Sequence, residues 1–247
     1  MSARSLIILA ALLFAITIVL RAPARWLLAS LPATIECRDP SGTLWRGGCG
    51  QLKLPDAALE GVGWSVHPWP LLLGHLDADL HSVDPRAAGT VRLSLRPGGH
   101  MVLTQLQAQL PIDAGLMPWF PAGWSGQVEL AFDRLELRSG ALIAIEGSAT
   151  ARGLGRKQPP MAFGSFALRF APAAANGAAA PIRGELRDVG GPLAVTGSLA
   201  IRNGREYLLS GLVAVRRGGD AELAKIVEYI GPPDAQGRRN FTLEGSF

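Results

Sequence analysis

The N-terminal segment constrains this chain more than any other. Ser5–Leu20 is an apolar run in which Thr17 alone interrupts the residues after Ser5, and it is bracketed by Arg4 and Arg21. A bilayer hydrocarbon core about 30 Å thick takes roughly 20 apolar residues as helix, with a lower limit near 17. Leu6–Leu20 alone falls slightly short, but Ala22, Pro23, Ala24 and Trp26–Leu31 prolong the apolar character. Arg21 and Arg25 can snorkel to the headgroups, with Trp26 in the interfacial belt. A cleavable signal peptide competes for the segment, since Ala22-Pro23-Ala24 resembles a small-x-small cleavage site. Against cleavage, Arg25 would follow the cut directly and Trp26–Leu31 would become an apolar mature N-terminus. The expectation is an uncleaved single-pass anchor over residues 5–31, a cytoplasmic tail over 1–4, and a body over 32–247 exported beyond the inner membrane. Charge bias leaves orientation open, with Arg4 on one side and Arg21 and Arg25 on the other. The short tail favours a cytoplasmic N-terminus.

The two cysteines fit that placement. Cys37 and Cys49 flank the turn of an expected hairpin, Thr34–Arg38 and Thr43–Trp45, which reverses at Asp39-Pro40-Ser41-Gly42. In an oxidising periplasm a disulfide here would close a loop of about a dozen residues and contribute about 2–3 kcal/mol. Two free thiols near a turn is the alternative. No further Cys and no nearby pair of His completes a tetrahedral zinc set.

With 18% charged and 48% hydrophobic residues, the chain can bury a sizeable core and is not disordered. Its formal charge of +4 comes from Lys and Arg scattered along the chain. Nucleic-acid binding calls for a concentrated basic stripe with interleaved aromatics, and none is visible. Weak attraction to acidic lipid headgroups is the better use of this charge beside a bilayer.

Period-two alternation recurs through the body and predicts a mainly β fold. Val91, Leu93 and Leu95 alternate with Arg92, Ser94 and Arg96. After Pro97-Gly98-Gly99, Val102, Leu106, Ala108 and Leu110 stand opposite Gln105, Gln107 and Gln109. Val128, Leu130 and Phe132 form a row, as do Ala141, Ile143 and Ile145, and Phe166, Leu168 and Phe170. Leu193, Val195, Leu199 and Ile201 lead to Asn203-Gly204, a strong hairpin signal, and a partner strand with Tyr207, Leu209, Val213 and Val215. Short turns and the lack of helical crossovers imply a Gly-rich antiparallel meander. Pro172–Pro181 reads as a surface loop. One short C-terminal helix is predicted, with Asp220 as N-cap, Leu223, Ile226, Val227 and Ile230 on one face, and Gly231-Pro232-Pro233 as the stop. A last strand follows over Arg239–Ser246.

No catalytic motif emerges, and the chain reads as a non-enzyme. His75, Asp77, Asp79 and His81 share one strand face. Alternate residues there stand nearly ~7 Å apart, too far for four in a row to close on one metal. They read as a solvated polar face. His67 and His100 add nothing specific, no nucleophile elbow is present, and Gly184–Gly191 lacks phosphate-loop spacing. Two aromatic groups stand out: Trp64 and Trp69 with Leu71–Leu73, and Met117, Trp119, Phe120 and Trp124. Their ordinary role is core or edge cover. The alternative assigns Trp64, Trp69, Trp119 and Trp124 to a partner-facing or membrane-proximal surface.

Four motifs in order carry a resemblance. Pro40-Ser41-Gly42-Thr43-Leu44-Trp45-Arg46-Gly47 resembles the opening G-T-h-W-x-G strand of the type II secretion system protein N family. Trp64 followed by Trp69-Pro70-Leu71-Leu72-Leu73-Gly74 is similar to that family's next signature. Gly190–Gly197 and Leu223…Ile230-Gly231-Pro232-Pro233-Asp234-Ala235-Gln236-Gly237-Arg238 are similar to its later ones. The resemblance implies a bitopic inner-membrane component of the type II secretion apparatus, with its bulk in the periplasm. Its partners would be inner-membrane platform subunits or the secretin, and its role the export of folded proteins. It defines no catalytic residue and no cofactor. Gly-flanked amphipathic strands behind an anchor also look like AsmA-like and TamB-like envelope proteins, which implies a curved sheet offering an apolar groove to lipid tails.

Overall fold

A computed structural model describes residues 3–28, 34–54, 58–112, 123–172 and 181–246. Helices α1 (Ala3–Leu20) and α2 (Ala24–Leu28) precede strands β1 (Glu36–Gly42), β2 (Arg46–Lys53) and β3 (Ala58–His67). A one-turn helix α3 (Pro68–Leu71) leads into β4 (Leu76–Ser82), β5 (Gly89–Arg96), β6 (His100–Pro111) and β7 (Trp124–Arg138). Strands β8 (Ala141–Lys157), β9 (Pro160–Phe170), β10 (Ile182–Gly190), β11 (Leu193–Arg202) and β12 (Glu206–Val215) follow. Helix α4 (Ala221–Glu228) and strand β13 (Arg239–Ser246) complete the order. The 13 strands of the described residues lie side by side in sequence order in one open antiparallel sheet. This is the expected meander, because hairpin turns join only adjacent antiparallel strands.

Alternation gives the sheet two unlike faces. Pairing aligns Leu106, Phe132, Gly147, Phe170, Gly184, Leu199, Leu209 and Leu243 across β6 to β13. Trp64, Leu80 and Val91 continue this apolar face over β3 to β5. The other face carries Asp79, Arg92, Thr104, Arg134 and Glu146 in one row. Ser148, Arg169, Glu185, Ser198, Ser210 and Thr242 extend it. Glycine within a strand here makes room for a large neighbour. A Cβ on Gly184 would stand 2.8 Å from the Phe170 ring.

The two ends of the apolar face are covered by helices. Leu223 and Val227 of α4 pack on Met161, Leu193, Val195 and Val213. Ala24 and Leu28 of α2 pack around Cys49 and Trp64. Between them Leu106, Leu130, Ala149, Leu168 and Leu199 pack beside Phe132, Leu142, Ile145, Phe170 and Ile201. The former five are only half-buried.

Several expectations need correction. The first hairpin turns at Thr43–Trp45, not at Asp39–Gly42, because Asp39 takes φ 52° and the strand runs on through Pro40. Val102 does not share a face with Leu106: the register shifts opposite Gln105, at φ 53°, and Val102 pairs with Ser94 and Glu136. A further bulge between Glu136 and Leu137 buries Leu142 and Ile145 and leaves Ile143 exposed. A bulge adds one residue to one strand and so inverts the face of everything beyond it. Helix α4 is two turns long, capped by Asp220, whose side chain accepts from the Glu222 amide. It buries Leu223 and Val227 and exposes Ile226 and Ile230. Two more short helices, α2 and α3, join the C-terminal one foreseen from sequence.

The apolar N-terminal run also differs from a continuous 5–31 span. Among the described residues no helix is long and apolar enough to cross a membrane. The 18 residues of α1 reach only about 27 Å at ~1.5 Å per residue, short of a ~30 Å core. The apolar residues beyond it are not collinear with it. Ala22 is buried, Pro23 bridges to Thr43, and α2 lies on the sheet. Residues 29–33 lie outside the described residues.

Candidate functional site

The residues that tie the N-terminal helices to the sheet form an interlocked site. The last carbonyls of a helix lack intrahelical donors. In α1 the Val19 carbonyl accepts from the indole N–H of Trp45 at 2.7 Å. The Ala22 carbonyl accepts from the Leu44 amide at 2.8 Å. The indole N–H of Trp64, in turn, donates to the Leu44 carbonyl at 3.1 Å. The β1–β2 turn, Thr43–Trp45, is thus held between α1 and β3. The turn is itself closed by the Thr43 amide donating to Arg46 at 2.8 Å.

This gives the Gly-Thr-Leu-Trp-Arg-Gly segment a physical meaning. A Cβ on Gly47 would stand 2.7 Å from Trp64 Cζ2 and 2.7 Å from the Ser41 carbonyl oxygen. Only glycine lets the indole lie against β2. Cys37 and Cys49 are joined by a disulfide, with Cα atoms 5.6 Å apart, so edge strand β1 is stapled to β2 beneath Ala24.

The aromatic residues separate by role. Trp64, 7% exposed, is a core residue of the junction and offers no contact surface. Trp124 stacks on Phe163 with ring centroids 4.8 Å apart. Trp119 lies outside the described residues. Trp69 is 77% exposed, and Leu72 and Leu73 beside it are equally bare. From sequence Trp45 reads as the end of a hairpin strand and a letter of a motif, whereas it lies in the β1–β2 turn. The signal that could have marked it is its position in a tight turn, where an indole has no neighbours on its own strand to cover it.

The polar face carries the histidine and carboxylate row. Asp77, Asp79 and His81 lie together on β4, paired with Ser94, Arg92 and Thr90, while His75 precedes the strand. Asp79 is held by Arg92 at 2.8 Å and by His67 at 3.1 Å. Ser94 donates to Asp77. The bond to Asp79 raises the pKa of Arg92 above its already high value. Asp79, His81, Thr90 and Arg92 border a shallow depression of about 590 Å³ with Gln105, Gln107 and Asp133. Among the described residues no three His, Cys, Asp or Glu side chains are arranged to hold a metal ion. Asp77, Asp79 and His81 each stand opposite a residue of β5, and Asp79 with Arg92 is the charge pair among them.

One carboxylate is deeply buried. Asp84, 1% exposed, accepts from the Arg86 guanidinium and amide and from the Glu60 amide. The Arg86 side chain foremost, then these two amides, hold its pKa at about 2 against the opposing effect of burial. The group clips the β4–β5 connection to the start of β3.

A helix-tethered, open antiparallel sheet, two-faced and stapled at its first edge, defines the architectural class. Its motifs agree with its ancestry: the family type II secretion system (T2SS), protein N, matches residues 33–242, and the chain belongs to it. A type II secretion system protein N from Vibrio cholerae serotype O1 is 30% identical over 140 residues. That alignment covers 53% of this chain and 55% of the relative, so the chain spans about half the length of the relative it matches. No solved structure matches it.

Proposed function

We propose that this chain is an inner-membrane-anchored, periplasmic component of the type II secretion system. It is not an enzyme, and it acts through protein–protein contacts in the export of folded proteins. Helix α1 carries the reading. Leu6, Ile7, Leu13, Phe14, Ile18, Val19 and Leu20 are all exposed. At about 3.6 residues per turn six of them spread over a broad arc of about 160°, and Val19 lies on the other side. Such a surface calls for lipid or protein around it. A segment somewhat shorter than the bilayer is accommodated by local thinning and by snorkelling of flanking residues such as Arg21 and Arg25. The Cys37–Cys49 disulfide suits an oxidising compartment on the far side.

The anchor restricts the body to two dimensions and raises its effective concentration near membrane-bound platform subunits and the secretin. Carbonate extraction of membranes and protease protection in spheroplasts test the placement. The full chain should remain in the pellet, and its body should be cut from the periplasmic side. Release by carbonate would sink the anchor. Crosslinking in cells tests the contacts, and a deletion strain that secretes normally would remove the secretion role.

A second reading is supported by the half-buried apolar row between α2 and α4, which suits lipid tails lying across the sheet. Phospholipid that copurifies with the chain and is lost on Leu106→Glu would favour it. A lipid-free preparation would count against it.

A further inference from the structure

We propose that the α3 turn, Trp69–Leu73, is a second membrane contact that dips into the interface of an anionic bilayer beside α1. The inference rests on the anchoring role of α1 given above and adds where the sheet touches the same membrane. The exit point of α1 fixes the geometry. Val19, at the end of that helix, is bonded to Trp45, and the Trp45 carbonyl accepts from the Val66 amide at 2.7 Å. Helix α3 begins two residues after Val66. A bilayer surrounding α1 therefore has its surface at the level of the sheet edge from which α3 projects.

The chemistry of that edge suits an interface. Trp69, Leu72 and Leu73 are 77%, 78% and 80% exposed, so an apolar turn stands clear of the sheet. Indoles partition to the headgroup level, where one part of the ring is apolar and the N–H stays hydrated. Arg21 and Arg25 follow the end of α1 and are exposed. Arg96 and Arg138 end β5 and β7 at the same edge, both paired with His100 in the ladder and both exposed. Of the nearby carboxylates, Glu136 is paired with Arg134, and Asp77, bonded to the neutral Ser94, keeps its charge against the four exposed arginines. The edge thus presents net positive charge, complementary to anionic headgroups. An apolar turn on an edge that carries exposed arginines fits that surface better than the mixed-charge rim of a protein partner.

Site-directed spin labelling of the full chain in vesicles tests this. The native cysteines are bonded to each other, so Leu72→Cys, Phe14→Cys and Val83→Cys variants can be labelled singly without reductant. Collision with oxygen and with a water-soluble nickel chelate gives each label's depth. In phosphatidylcholine vesicles containing phosphatidylglycerol, position 14 should read deep in the hydrocarbon and position 83 aqueous. Position 72 should lie about 5–10 Å into the interface. Pure phosphatidylcholine should lower its oxygen-to-nickel ratio severalfold. A label at 72 as aqueous as that at 83, with 14 deep, overturns the second contact and leaves the anchor standing. Aqueous labels at both 14 and 72 overturn the anchor, and the second contact with it. A label at 72 that is shielded only after secretion-system subunits are added assigns the turn to a protein partner and also overturns the proposal.

Discussion

Asp84→Asn isolates one buried charge whose contribution can be worked out. Its folded pKa of about 2 lies below the ordinary 3.8. At about 1.36 kcal/mol per unit, that gap corresponds to about 2.5 kcal/mol. The Arg86 partner is 58% exposed, so solvent screening lowers the contribution to about 1–2 kcal/mol. A carboxylate depressed in the fold stabilises it above its unfolded pKa. That contribution is complete at neutral pH and is lost as pH falls from near 4 through about 2. The amide keeps one acceptor oxygen but turns an N–H toward the donors of Glu60 and Arg86. The total loss at pH 7 is therefore about 2 kcal/mol, or about 1 M in urea midpoint. Urea melts of the full chain in detergent, followed by tryptophan fluorescence at steps from pH 7 to pH 2, measure this. The wild type should lose stability below pH 4, and the variant should be weaker at pH 7 and lose less on acidification. A variant that melts with the wild type at pH 7, or falls as steeply in acid, would refute the assignment.

Other perturbations address the junction and the core. Trp45→Phe keeps the ring but removes the bond to Val19, and should cost about 0.5–1.5 kcal/mol, with faster hydrogen exchange at the end of α1 as the readout. Gly47→Ala forces a methyl against Trp64 and two backbone oxygens. It should cost about 1–3 kcal/mol in urea melts and shift the emission of the buried indole. Cys37→Ser with Cys49→Ser removes the staple on β1 and should lower stability by about 2–3 kcal/mol, matched by adding reductant to the wild type. Leu223→Ala opens a hole at a fully buried position and should cost about 2–5 kcal/mol. Its thermal midpoint should fall well below that of Ile226→Ala, a position 39% exposed.

Much of the sheet is legible in the sequence because β structure writes its period into the chain. The β11–β12 hairpin pairs Leu193 with Val215 and Ile201 with Tyr207 around Asn203-Gly204 as the alternation requires. Strand β13 has the bounds its pattern implies. Helix α4 announces itself through its Asp cap and its spacing. The face of Val102 and of Ile143 was not legible, since Gln105 and the Glu136–Leu137 bulge each insert a residue without a distinctive side chain. A one-residue insertion costs little locally yet inverts a whole strand.

The amino-acid order by itself thus determined an antiparallel meander, its Asn203-Gly204 turn, its capped helix and its membership of the protein N family. Each of these follows from local periodicity, turn chemistry and motif order. Only the tertiary structure decided that Trp64 is core and Trp69 is bare, two indoles five residues apart in the same motif. It also decided that α1 ends at Leu20 and that its last turn is held by Trp45. Those outcomes depend on bonds between residues distant in the chain, 26 apart for Val19 and Trp45. Such bonds form only when the sheet brings the partners together, and no local pattern encodes them.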